Sequence, residues 1–138
     1  MTTTVSRRQA RRAAFVLLYQ LDLRDEPLEV LYERYSADTR EQIPPYTREA
    51  VDGAAGMIGI LDRRLDSATR GWSIDRLGTV ERAILRLALW ELTERPDVPA
   101  EVAIDEAIEL AKRYASAEAG SLVNGVLGRI VREDGRGT

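Results

Sequence analysis

Four arginines, Arg7, Arg8, Arg11 and Arg12, stand close together near the start of the chain, in the segment SRRQARRAAFVLLYQLDL. A guanidinium presents a planar fork of N–H donors that matches the oxygens of a phosphate or a carboxylate. On a helix turning about 100° per residue, the four span about 140° and form a basic stripe beside an apolar one. A helix start is an unfavourable place for cations, because the macrodipole is positive there. The four charges also repel one another, so the cluster costs stability unless an anion relieves it. Two readings follow. The arginines grip the phosphate backbone of RNA or DNA, or they form a solvated face and meet acids elsewhere in the chain.

The charge balance sharpens the question. The 138 residues hold 20 Lys and Arg against 23 Asp and Glu, for a net charge of −3. The first 21 residues carry four arginines and no acid, so the remainder stands at −7. A negative body discourages indiscriminate binding of nucleic acid and confines contact to one edge.

Other chemistries are poorly supplied. The chain has no cysteine, which excludes disulfides and thiolate nucleophiles. It has no histidine, the commonest general base and neutral metal ligand. The glycine-rich GAAGMIG segment lies in a helical stretch and follows no strand, so it is not a dinucleotide fingerprint. Asp105, Glu106 and Glu109 in AIDEAIEL read as solvated charges beside Lys112 and Arg113. No catalytic site, cofactor or metal is expected.

The elements that must position the arginines read as helices throughout. The first runs from about Ser6 to Arg24, with Ala10, Ala14, Leu17, Leu18 and Leu21 as its apolar stripe. A second starts near Pro27, and the prolines of IPPY (43–46) end it. A third is expected to run unbroken from about Pro45 to Arg70, with Gly53, Gly56 and Gly59 on one side for close packing or for a partner. Thr79 is expected to cap VERAILRLALWEL (80–92), which is apolar nearly all round and so central to the core. Glu91 falls on an apolar face there, either paired with an arginine or kept for a partner. Pro99 opens the next helix, which has acids early and Lys112 and Arg113 late, as the dipole favours. SAEAG (116–120) reads as a loop before a last helix, SLVNGVLGRIV, in which Gly125 and Gly128 allow close approach. The tail from Arg132 is expected to fray.

The expectation is an all-α fold of six to seven helices, as one compact unit with an N-terminal part (1–70) and a C-terminal part (71–138). No apolar run approaches the roughly 18 residues of a membrane span. The basic start is followed by Gln20 and Asp22 rather than by a cleavage site, so a soluble cytoplasmic protein is expected.

Four segments in order resemble the NusB family of transcription antitermination factors. They are RRQARRAAFVLLYQLD, RLGTVERAILRLALWEL, VPAEVAIDEAIELAKRYAS and LVNGVLGRI. The resemblance implies two packed three-helix subdomains. It implies binding to the boxA element of ribosomal RNA leader transcripts, jointly with NusE, a small-subunit ribosomal protein. The complex would help RNA polymerase resist premature termination. Residue by residue, Arg7, Arg8 and Arg11 match the family's basic motif, Arg12 adds a charge, and Gln9 stands where another basic residue is common. Glu118 and Ser121 fall in a region resembling part of the RNA surface. Leu122 stands where the family often has a phenylalanine that could stack on a base. Glu81 sits where the resemblance suggests the NusE side. Two alternatives stay open. One is a homodimeric interaction module. The other is a NusB-like domain related to ribosomal RNA methyltransferases, for which the chain up to Thr138 leaves no room for a cofactor-binding domain.

Overall fold

The computed structural model describes residues 5–69 and 73–135. Seven α-helices and no strand occur among the described residues. They are α1 (Arg7–Leu23), α2 (Leu28–Thr39), α3 (Pro45–Gly56), α4 (Ile58–Ala68), α5 (Thr79–Glu94), α6 (Ala100–Tyr114) and α7 (Ala117–Asp134), with a single 3₁₀ turn at Ile74–Arg76. The boundary expected between residues 70 and 71 falls outside the described residues.

Local chemistry sets the ends of these helices. Ser6 and Gln9 form a reciprocal capping box, which satisfies orphan N–H groups at the start of α1 despite its arginines. Pro27, Pro44 and Pro99 occupy the N-cap positions of α2, α3 and α6. Ser116 caps α7 by accepting from the Ala119 N–H.

Helix α5 is the axis of the molecule. Every residue from Ala83 to Leu92 is buried, as the all-round apolar pattern requires. It packs against α1, α3, α4, α6 and α7. One buried cluster joins Leu17 and Leu18 of α1, Val51 of α3, Leu65 of α4, Ile84 and Trp90 of α5, and Leu127 and Ile130 of α7. Helices α1 and α5 run antiparallel. Arg11 meets Glu91 near one end, and Asp22 meets Arg82 and Arg86 near the other. Arg86 also binds Asp62 at 2.8 Å, which ties α4 into the same network.

The structure departs from five sequence expectations. The helix expected over 45–70 is broken at Met57 (φ −121°, ψ 14°). The break redirects the chain: α3 lies on α1 and α5, whereas α4 lies on α5 and α7. Gly53 alone of the three glycines is closely packed, since a Cβ there would collide with the Trp90 indole; among the described residues no other part of the fold comes within 4 Å of a Cβ placed at Gly56, Gly59 or Gly125. The cap of α5 is Gly78 rather than Thr79, whose hydroxyl instead accepts from Arg82. SAEAG is not a loop but the N-cap and first turn of α7. At its other end that helix continues through Asp134 to a left-handed Gly135 (φ 71°), so residues 132–134 are helical rather than frayed.

Candidate nucleic-acid interface

The four arginines have four different surroundings. Arg7 is exposed, with its guanidinium carbon 3.8 Å from the centroid of the Tyr46 ring, a cation–π contact. Arg8 is exposed and sends Nε and Nη2 to the Glu106 carboxylate at 3.0–3.2 Å. Those hydrogen bonds, and then the charge of Glu106, hold the Arg8 pKa above its ordinary value. Arg12 is exposed and lies 5.8 Å from the Tyr114 ring centroid.

Arg11 is the exception, and it corrects the expectation that all four form an exposed stripe. Its side chain is buried, with Nε 3.0 and 2.8 Å from the two Glu91 oxygens. Tyr46 Oη donates to the same carboxylate at 2.6 Å. Burial, and then this hydrogen bond, push the Tyr46 pKa upward. The acid on the apolar face of α5 is therefore paired within the chain. The signal was present in the sequence. Arg11 precedes Ala14 by three residues and Leu18 by seven, so it shares their buried face.

Arg8 and Arg12 line a surface groove between α1 and α6, with Arg11 in its wall. The α6 side consists of Glu106, Glu109, Leu110 and Arg113. Their spacing of three and four residues places them on one face of that helix. From the sequence alone, Arg113 is expected only to complement the helix dipole and Glu106 only to be a solvated acid. Their role at the groove depends on which helix α6 faces, and the α6 pattern alone does not carry that. Tyr114 continues the surface: its ring lies 5.1 Å from Phe15, with Arg12 and Arg113 both within 6 Å of it.

The other expected site residues are placed as follows. Tyr114 is followed by only Ala115 and Ser116 before α7, so the start of α7 adjoins the Tyr114 end of the groove. Glu118 and Ser121 are exposed on the first turns of α7, while Leu122 is half-buried against the core. Glu81 is not brought to this surface. It stands in the first turn of α5, at the Asp22–Arg82 end, with its carboxylate folded back over Gly78. Among the described residues no group of His, Cys, Asp and Glu could hold a metal, and no helix is long and apolar enough to cross a membrane.

Comparison with known proteins agrees with this architecture. The model of the NusB family matches residues 8–132. Transcription antitermination protein NusB of Rubrobacter xylanophilus is 45% identical over 123 residues, covering 89% of this chain and 88% of the relative. The protein of that name from Acetivibrio thermocellus is 38% identical over 132 residues, covering 93% and 90%. Among solved structures, NusB of T. maritima superposes with a TM-score of 0.86 at 38% identity, covering 95% of this chain and 94% of that one. A crystal structure of antitermination factors NusB and NusE in complex with double-stranded RNA gives 0.80 at 33% identity, covering 92% and 96%. With the all-helical fold and a family match over nearly its whole length, the chain belongs to the NusB family.

Proposed function

We propose that the protein is a non-enzymatic, cytoplasmic transcription antitermination factor. It binds the boxA element of ribosomal RNA leader transcripts together with NusE and supports processive transcription by RNA polymerase. The observation that carries the RNA-binding part is the groove on which Arg8, Arg12 and Arg113 converge in an otherwise acidic protein. Glu118, Ser121 and Leu122 extend the proposed RNA surface along α7. Family membership, and a relative solved with NusE and RNA, support the partnership. Glu81, at the far end of α5, belongs to the proposed NusE side.

Phosphate contacts position RNA without reading its sequence. Reading single-stranded bases needs stacking or hydrogen bonds to base edges, and Leu122 offers no ring. The chain alone therefore binds boxA weakly and discriminates poorly, and NusE supplies the remainder. Linkage makes the gain reciprocal, with a coupling of about 1–3 kcal/mol. A calorimetric cycle over the protein, NusE and a boxA or scrambled RNA tests this. NusE should tighten boxA binding by the factor with which boxA tightens the heterodimer. If NusE changes neither affinity nor discrimination, the proposal fails.

A further inference from the structure

Within the RNA-binding reading, on which this inference rests, the acid in the groove has a role of its own. We infer that Glu106 is an internal stand-in for phosphate: it occupies the Arg8 fork in the free protein and must leave before RNA can take its place. The Arg8 side chain is 74% exposed, yet its Nε and Nη2 are both directed at one carboxylate. A carboxylate and the non-bridging oxygens of a phosphate offer that fork the same pair of acceptors. The two cannot occupy the same edge of the guanidinium at once.

Glu106 is held in position for this. It is only 18% exposed and sits among Ala103, Ala107 and Leu110 on the groove side of α6. Glu109, one turn further on, lines the groove and acts on Arg8 through its charge, with no hydrogen bond to it. Beneath them Arg11 is already paired with Glu91. Three outward guanidiniums thus face two carboxylates, and much of the basic character is cancelled until a ligand arrives. An isolated phosphate gains little by displacing Glu106, whereas a strand that offers several phosphates in register gains at Arg12 and Arg113 as well. The penalty applies to RNA of every sequence, because it concerns the backbone alone.

The test is fluorescence anisotropy with single-stranded boxA RNA and a scrambled RNA of equal length, on the full chain and its Glu106→Gln and Glu109→Gln variants. Circular dichroism checks that each variant is folded. Glu106→Gln should tighten both RNAs by the same factor, about 2- to 5-fold, the scale of releasing an exposed ion pair. Glu109→Gln makes the same change in net charge without freeing the fork, and should tighten binding less. Equal effects of the two variants would reduce Glu106 to a generic charge and overturn the inference. Weaker binding by Glu106→Gln would make Glu106 a residue that positions Arg8, and tightening of boxA alone would give it a part in base readout; either result overturns it too. In those three cases the RNA-binding reading stands. If neither wild type nor variant binds RNA, both fall together.

Discussion

Arg11 and Glu91 meet across α1 and α5 with Nε 2.8 Å from Oε2, and both side chains are almost wholly enclosed. A residue that the sequence groups with a basic surface block is therefore a core residue. Removing one partner of a buried pair strands the other charge, at a cost of about 3–5 kcal/mol. Arg11→Ala should lower the urea midpoint accordingly. Arg8→Ala breaks only an exposed pair and should stay within about 1 kcal/mol of wild type. A stable Arg11→Ala protein would show that the contact contributes little.

The glycines of α3 and α4 should separate by contact. Gly53→Ala drives a methyl into the Trp90 indole, whose Cε2 would lie 2.8 Å away. Overpacking of this kind costs about 1–3 kcal/mol. Gly59 is exposed within a helix with nothing near it, so Gly59→Ala should gain roughly 0.4–1 kcal/mol. Chemical denaturation of the two variants measures both. Equal effects would mean that the Trp90 contact does not constrain the backbone.

Alkaline pH should unfold the protein through two tyrosines. Burial, then a hydrogen bond to Asp52, raises the pKa of Tyr32; burial, then the bond to Glu91, raises that of Tyr46. The folded state holds these protons more tightly than the unfolded chain does. Their stabilisation is complete below the ordinary tyrosine pKa of about 10 and is lost as pH rises beyond it. Ultraviolet titration followed alongside circular dichroism should show these phenols ionising together with loss of helix. Complete ionisation of all tyrosines near pH 10 in a protein that keeps its helical signal would contradict this.

The helices were legible in the sequence because each needs only local information: apolar gaps of three and four, and proline at three starts. The break at Met57 was not, because the apolar spacing continues through it and no proline marks it. It arises from a tertiary demand, the change of packing partners between α3 and α4. The site divides in the same way. The arginine block and its opposition to an acidic body stand in the sequence. The pairing of Arg8 with Glu106 joins residues 98 apart, and the convergence of Arg113 on Arg12 also needs α6 folded against α1. Periodicity along one helix carries neither.

Arg8, Arg12 and Arg113 line the groove proposed to bind RNA phosphate. Its most direct test is the salt dependence of RNA affinity for wild type and for the Arg8→Ala/Arg12→Ala double variant, read by anisotropy on a single-stranded RNA. Each phosphate contact on a single strand contributes about −0.7 to the slope of log affinity against log salt. Three contacts predict a wild-type slope of about −2 and a double-variant slope of about −0.7, with weaker binding and a stability within about 1 kcal/mol of wild type. A double variant that keeps the wild-type slope and affinity would place the RNA elsewhere on the molecule and rule out this groove as its site.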